Sequence, residues 1–355
     1  MKRFHIFFST IAVLIVTLSS CSKSSVNPTQ DGNWIYIGDF GGTSRTEATS
    51  FVIGDLAYVG TGIDNRNTRY RDLWSFDPTG PFWYQVATAP ANFTPRNSAV
   101  GFAVGGKGYI GTGTDGVNYF SDFWQYDPTA NSWKEVAPLG DANNGPQPRY
   151  DAVAFALEKY GYGYVGTGNN GLDPLNDFWQ YDPAADSWKQ ISIYPGGKRQ
   201  QAVAFTYKDK GYLVTGVGTG GTTLNDFFSY DPSITDTTQW TALRHISNYS
   251  PDSYDDGYVS IVRYNAVGFV MTGTTSDGGG DRAYITTGSA GSTTWAYNFA
   301  TDLWNQKTSY ERAARQGAVG FSVKNRGFVG LGTTGSSTLA NMDEWKPDET
   351  YNQQD

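Results

Sequence analysis

The sequence predicts an all-β fold in which six four-stranded antiparallel sheets close into a ring, that is, a six-bladed β-propeller. A unit of about 50 residues recurs six times, and each copy divides into short strands separated by turn residues. The composition agrees, because 43 Gly, 24 Tyr, 20 Phe and 11 Trp with only 17% charged residues are typical of strands, tight turns and aromatic packing.

The second copy shows the unit most clearly. Its markers, in chain order, are Arg96, the alternating Val100, Phe102 and Val104, then Tyr109-Ile110, Phe123-Trp124, Tyr126, Asp127-Pro128 and Trp133. Apolar residues at every second position indicate half-buried strands, and Asp-Pro between two aromatic runs is a turn signal. The unit therefore predicts four strands.

The sixth copy ends without a tryptophan in its fourth strand, whereas the N-terminal end carries a spare one. Trp34 precedes the first repeat arginine much as Trp133 precedes the third. We expect the strand around Trp34 to complete the last sheet beside Trp345 and to close the ring, which leaves no open edge. The six fourth-strand tryptophans are Trp34, Trp83, Trp133, Trp188, Trp240 and Trp304.

This order of glycines, Asp-aromatic-Trp, Tyr-Asp-Pro and a final Trp resembles the kelch repeat, over residues 33–347. The glycine pair of that repeat is here mostly Gly-Thr-Gly, as at Gly111-Thr112-Gly113, so the chain resembles a divergent branch of the family. The resemblance implies a six-bladed propeller. It does not transfer a function, because one fold hosts many functions.

The first residues follow a secretory pattern and end in Leu18-Ser19-Ser20-Cys21, which resembles the bacterial lipobox. We expect residues 1–20 to be a signal peptide, Cys21 to be lipidated, and residues 21–32 to form a flexible tether. Residues 348–355 are expected to be a C-terminal tail. The sequence therefore predicts an exported lipoprotein of the bacterial cell envelope, at the outer membrane, with its periplasmic or surface location left open.

Charge and cysteine content exclude several partners and cofactors. Without Lys2 and Arg3, 24 basic residues remain against 34 acidic ones, and a nucleic-acid partner needs a basic surface. Cys21 is the only cysteine, so the domain has no disulfide or zinc-thiolate cluster. We expect a monomer with no cofactor and no metal, whose membrane contact is the lipid anchor alone.

Catalytic motifs are scarce. Some kelch-like propellers resemble galactose oxidase, a copper enzyme that uses histidines and a cysteine-linked tyrosine. This chain keeps only His245 once His5 is removed with the signal peptide, so that copper site cannot form. A Ser-His-Asp triad would depend on His245 alone, without the usual nucleophile turn. An enzyme is thus the less favoured interpretation.

A ring of repeat arginines is the first candidate ligand-binding site. Arg45, Arg96, Arg149, Arg199 and Arg315 each precede the second strand by 12 or 14 residues, and the same count in the fifth copy gives Asp256. We expect these six residues near one mouth of the central channel. In kelch propellers that bind acidic peptides or sialic acid, arginines in similar positions contact carboxylates. The alternative is that each arginine bonds loop carbonyls or a carboxylate of a neighbouring blade.

The fifth copy carries the longest spacing, 22 positions from Gly273 to Trp295 against 11 from Gly113 to Trp124. Long loops on rigid scaffolds are frequent binding elements. Residues 274–294 are therefore a second candidate site, and the alternative is that this segment is simply disordered.

Two functions remain open. The first is a non-enzymatic binding or scaffold propeller that recognises a protein or carbohydrate at the channel mouth. The second is a carbohydrate-active enzyme similar to the kelch-type sialic acid mutarotases, in which a channel carboxylate with a shifted pKa moves a proton. Asp256 is the sequence's candidate for that carboxylate.

Overall fold

The structure is a computed structural model that describes residues 31–80, 82–141, 145–146, 148–236, 238–246, 261–275 and 279–354. The predicted signal peptide, Cys21 and Asp256 lie outside the described residues. Among the described residues, no helix is long and apolar enough to cross a membrane.

Six antiparallel sheets of four strands form the blades, which confirms the predicted fold. The first blade contains β2 Thr49–Ile53, β3 Leu56–Gly60, β4 Leu73–Asp77 and β5 Phe82–Gln85. The second blade contains β6 Val100–Val104, β7 Lys107–Gly111, β8 Phe123–Asp127 and β9 Ser132–Val136. The third blade contains β12 Val153–Leu157, β13 Tyr162–Gly166, β14 Phe178–Asp182 and β15 Ser187–Gln190. A two-residue hairpin, β10 Gly140–Asp141 and β11 Gly145–Pro146, lies between the second and third blades.

Blades four to six follow the same order. The fourth blade contains β16 Val203–Tyr207, β17 Lys210–Val214, β18 Phe227–Tyr230 and β19 Trp240–Ala242. The fifth blade contains β20 Val267–Thr274, β21 Gly280–Thr286, β22 Thr294–Asn298 and β23 Leu303–Lys307. The sixth blade contains β24 Val319–Val323, β25 Arg326–Gly330, β26 Asn341–Thr350 and β1 Asp31–Asp39. The first strands of successive blades contact one another around the axis, from β2 through β24 and back to β2. These innermost strands line the channel.

The N-terminal strand closes the ring as predicted. β1 pairs antiparallel with β26, and Trp34 stands opposite Trp345. β1 begins at Asp31, inside the segment expected to be tether, and β26 continues to Thr350, inside the expected tail. We call the face at which the innermost strands begin the upper face. Since β1 is a fourth strand, it starts at the opposite, lower face.

Six aromatic clusters hold the ring together, one at each interface between neighbouring blades. In the second blade, Phe102 of the first strand stacks on Tyr109 of the second strand, with centroids 5.0 Å apart. The Phe102 ring also covers Gly163 of the next blade, where a Cβ atom would lie 2.1 Å from the ring. Glycine at the start of the second strand therefore allows one blade to pack on the next.

Candidate functional site

Six arginines occupy equivalent positions, each four residues before an innermost strand. They are Arg45, Arg96, Arg149, Arg199, Arg263 and Arg315, and each is at most 2% exposed. A glycine N–H of the preceding blade donates to the carbonyl of each arginine, as from Gly113 to Arg149 at 2.7 Å. The arginines form a ring, but their side chains are buried beneath the upper face.

Arg96 shows how the guanidinium groups are used. Its Nη1 and Nη2 donate to the two carboxylate oxygens of Asp122 at 2.6 and 2.9 Å, and Nη1 also donates to the Thr112 carbonyl. The rings of Phe93 and Phe120 lie 4.3 and 4.2 Å from its central carbon. A guanidinium held by a fork of hydrogen bonds between two rings has no face left for a ligand.

The same carboxylate partner recurs in the first four blades, always from the same blade as the arginine. The pairs are Arg45–Asp72, Arg96–Asp122, Arg149–Asp177 and Arg199–Asp226. Burial opposes the ionisation of Asp177, but hydrogen bonds from Arg149 and Trp179 hold its pKa below the ordinary value. In the sixth blade Asn341 takes this position and accepts from Arg315 at 3.0 Å. The arginines thus stabilise the upper turns, and this placement does not support direct contact with a ligand.

Arg263, and not Asp256, occupies the fifth position of the ring. Arg263 donates to the carbonyls of Ile261, Thr287 and Thr293, and burial lowers its pKa to about 10. The count that led to Asp256 started from Gly268, which lies in the first strand of the blade and not in the second. The four-residue pattern Arg-x-x-Ala, present at Arg263 as at Arg96, is the sequence signal that identifies it.

The long spacing in the fifth copy also has a structural explanation. β20 and β21 form a longer hairpin than in the other blades, and Tyr284 of β21 stacks on Phe269 as Tyr109 stacks on Phe102. β21 is therefore the ordinary second strand of the blade, and Thr294 begins the third strand. The upper turn from Gly288 to Thr293 is shorter than its counterparts, so the predicted insertion is an extension at the lower face.

The axial mouth at the upper face is lined by the residues that stand two positions after each arginine. These are Glu47, Ser98, Asp151, Gln201, Asn265 and Gly317. Each donates its N–H to the carbonyl of the preceding member, which makes a closed ring of six backbone hydrogen bonds. All six have a φ between 53° and 61°. The left-handed backbone turns each residue toward the axis just before the innermost strand begins.

The side chains of this mouth ring form a polar network around two carboxylates. Ser98 Oγ donates to Glu47 at 2.8 Å, and Gln201 Nε2 donates to Asp151 at 2.9 Å. Burial and, to a smaller extent, the nearby Glu47 carboxylate raise the pKa of Asp151, hydrogen bonds from Ser98 and Gln201 oppose the shift, and the resulting pKa is about 7. Asp151 therefore gains and loses a proton near neutral pH. Sequence reasoning missed this residue because it searched the arginine positions themselves.

The cavity inside the mouth ring has a volume of about 110 Å³. Below it, the channel continues as a second space of about 210 Å³ lined by the first residues of the innermost strands. Pockets that enclose small-molecule ligands usually measure roughly 300–1,000 Å³. The mouth therefore fits one side chain or part of a larger ligand.

The remaining candidates add no second centre. His245 lies exposed in the loop after β19. Among the described residues, no group of three or more His, Cys, Asp or Glu side chains could hold a metal ion. Asp343 of the sixth blade lies two positions further along the sheet than Asp122 of the second blade, and it accepts hydrogen bonds from Tyr310 and Arg312.

Comparisons with known proteins agree on the architecture. The family model of the KLHDC2/KLHL20/DRC7 Kelch-repeats domain matches residues 27–164. The solved structure of YjhT aligns with a TM-score of 0.66 and 16% identity over 86% of this chain and 95% of that one, a likeness of fold alone.

One curated protein is similar in sequence over a shorter stretch. An N-acetylneuraminate epimerase of Yersinia enterocolitica is 34% identical over 111 residues, which cover 27% of this chain and 26% of that protein. The chain thus matches about a quarter of the length of that relative.

Proposed function

Since the chain is a kelch-repeat β-propeller, we propose that it is a binding protein whose ligand enters the axial mouth of the upper face. The observation that carries this proposal is the mouth ring, in which Glu47, Ser98, Asp151, Gln201 and Asn265 place polar side chains around one small cavity. Convergent polar groups at the axis of a rigid ring are typical of a ligand site.

The size and chemistry of the mouth favour binding over catalysis. The mouth ring by itself, with a cavity of about 110 Å³, is too small to enclose a sugar acid, and its size fits the end of one group of a protein or glycan. The ring is closed by six backbone hydrogen bonds, so the backbone that carries these side chains is held in place before a ligand arrives. Preorganisation of this kind reduces the entropy cost of association.

Binding to glycan and peptide arrays tests the proposal. The full-length chain is compared with Gln201→Ala and Asn265→Ala, which remove polar groups of the mouth, and with the control Leu303→Ser on the outer strand of the fifth blade. We expect a ligand whose binding the two mouth variants weaken and the control leaves unchanged. Ligand binding that survives both mouth substitutions would place the site elsewhere.

A second candidate function is proton transfer on a carbohydrate, in the manner of an epimerase or mutarotase. It is favoured by the Asp151 carboxyl, whose pKa of about 7 suits a general acid or base, and by the similarity to an N-acetylneuraminate epimerase. Anomer exchange of N-acetylneuraminate and neutral reducing sugars, followed by NMR with wild type and Asp151→Asn, tests it. Exchange at the same rate with both proteins would exclude the catalytic role of Asp151.

We also propose that Cys21 carries a lipid and holds the propeller at the outer membrane. β1 begins at Asp31 on the lower face, so ten residues connect that face to Cys21, a reach of at most about 35 Å. The axial mouth would then open away from the membrane. Fractionation and lipid labelling of cells that produce wild type or Cys21→Ser test the anchor, and a variant that stays in the membrane fraction would contradict it.

A further inference from the structure

The negative charge of the axial mouth determines whether a cationic or an anionic ligand is favoured there. Its cavity is lined by two carboxylates, Glu47 and Asp151, whereas the arginines beneath it are buried and, in the first four blades, paired with aspartates. Arg69 contacts the polar network of the mouth ring from the side, because its Nε donates a hydrogen bond to Asn97. The mouth thus favours a cationic group over an anionic one, because a like charge close to the carboxylates is repelled.

An apolar surface adjoins the mouth on the second and third blades. We call it the rim patch, and it consists of Val117, Tyr119 and Leu172. Val117 is 84% exposed and Leu172 is 89% exposed, at the tips of equivalent upper turns. Tyr119 stacks on Tyr150 with centroids 5.0 Å apart, and Tyr150 directly precedes Asp151. The stacked pair of Tyr119 and Tyr150 therefore connects the rim patch to the mouth ring.

The two aliphatic tips are held rigidly in their exposed positions. Asp115 Oδ1 accepts the N–H groups of Val117 and Asn118 at 2.8 and 2.6 Å. Asn170 Oδ1 accepts those of Leu172 and Asp173 at 3.0 and 2.9 Å. Turns fixed in this way keep a large apolar side chain in water, which costs free energy in the isolated protein. A partner that covers the tips recovers it.

The chemistry of the rim patch indicates a protein partner. Sugars stack on open aromatic faces, whereas the most exposed side chains of the rim patch, Val117 and Leu172, are aliphatic. Aliphatic tips instead fit an apolar pocket of a protein, and the exposed Asp173 beside them is complementary to basic residues around such a pocket.

Building on the proposed function, we infer that the ligand is a protein segment that inserts a lysine or arginine side chain into the mouth beside Glu47 and Asp151. Apolar residues that flank the inserted cation cover Val117 and Leu172. The volume of the cavity, about 110 Å³, accommodates the end of one such side chain. A cationic ligand distinguishes this mouth from a site that binds sugar acids.

Selection from a random peptide library displayed on phage, with the full-length chain as bait, tests the inference. We expect enrichment of peptides with a lysine or arginine next to leucine, valine or aromatic residues. Synthetic copies of an enriched peptide, and copies in which its basic residue is replaced by norleucine or glutamate, are then titrated by fluorescence anisotropy. The norleucine copy is expected to bind about tenfold more weakly and the glutamate copy more weakly still.

Variants of the chain locate the binding surface. Leu172→Ser and Val117→Ser, which change only exposed side chains, and Asp151→Asn in the mouth should each weaken the basic peptide about tenfold. Leu303→Ser, an exposed substitution on the fifth blade, should leave it unchanged. Enrichment of acidic peptides, or full binding by Leu172→Ser, would overturn the inference.

The outcomes also separate this inference from the proposed function. If glycans alone bind and Gln201→Ala weakens them, the mouth is a ligand site and the inference of a basic protein ligand is wrong. If neither peptides nor glycans bind, both are wrong. A peptide that requires both its basic residue and Leu172 supports both.

Discussion

Trp34 and Trp345 stand directly opposite each other in the pair of strands β1 and β26, with ring centroids 4.9 Å apart. Trp34 is 2% exposed and also contacts Tyr310 edge-on at 4.9 Å. The first strand of the fold is therefore attached to the last blade by noncovalent contacts on both its sheet edge and its aromatic face. These contacts close the ring.

Trp34→Ala should loosen this closure. Loss of a buried tryptophan costs about 3–5 kcal/mol of unfolding free energy, measurable by urea denaturation. Trp188→Ala is the matched control, because Trp188 is a buried fourth-strand tryptophan in the third blade. Both variants lose stability, but only Trp34→Ala should speed hydrogen exchange along β1. Equal exchange of the closing strand in wild type and Trp34→Ala would contradict this role.

Arg149→Ala should destabilise the fold, whatever its effect on a ligand. It leaves Asp177 without the two hydrogen bonds, at 2.8 and 2.7 Å, that hold this carboxylate, and breaking such a buried pair costs about 3–5 kcal/mol. Lys159→Ala is the control, since its ion pair with Asp209 is exposed and contributes at most about 1 kcal/mol. A thermal denaturation curve of Arg149→Ala that matches wild type would refute the structural role.

The sequence predicted the ring, its six blades and its closure because these features repeat. A residue that recurs six times, such as the fourth-strand tryptophan, can be aligned even in the divergent fifth copy. The site was harder to predict. The arginines were chosen as a candidate site because they recur in the repeats. Recurrence is also typical of structural residues, and the buried ion pairs of the arginines with aspartates show that role.

The fifth arginine and the mouth illustrate why local patterns alone were insufficient. Arg263 was missed because the count began at Gly268, in the first strand of the blade, and because the longer hairpin of β20 and β21 places the true second strand further along the chain. Asp151 was missed because its character comes from burial and from Glu47, and the two residues are more than one hundred positions apart in sequence. Contacts across blades of this kind are not visible in a single repeat.

The stability of the chain should depend on pH through Asp151. Burial raises the pKa of its carboxyl from 3.8 to about 7, so the folded state binds this proton more tightly than the unfolded state. The contribution to stability is present at about pH 4 and is lost as the pH rises through 7. Asp151→Asn removes this loss and should be more stable than wild type at pH 8, by about 1–3 kcal/mol given the partial exposure of the side chain.

Urea denaturation at pH 4 and pH 8 measures this difference. Asp115→Asn is the control of opposite sign, because hydrogen bonds from Asn118 hold the pKa of Asp115 below its ordinary value. The stability that Asp115 contributes is present above that ordinary value and is lost as the pH falls. If wild type and Asp151→Asn show the same pH dependence, the shifted pKa of Asp151 is wrong.

The Thr-Gly step at the end of the second strand should respond unequally to substitution. Thr112 has a φ of 59°, which is unfavourable for a β-branched residue, and its buried hydroxyl has no hydrogen-bond partner among the described residues. Thr112→Gly relieves both costs but adds backbone freedom to the unfolded chain, so its stability should stay within about 1 kcal/mol of wild type. Gly113 has a φ of 93°, and a Cβ atom there would lie 2.7 Å from the Asn97 carbonyl oxygen. Gly113→Ala should therefore lose at least about 2 kcal/mol in the same denaturation experiment, and equal stability of the two variants would contradict the asymmetry.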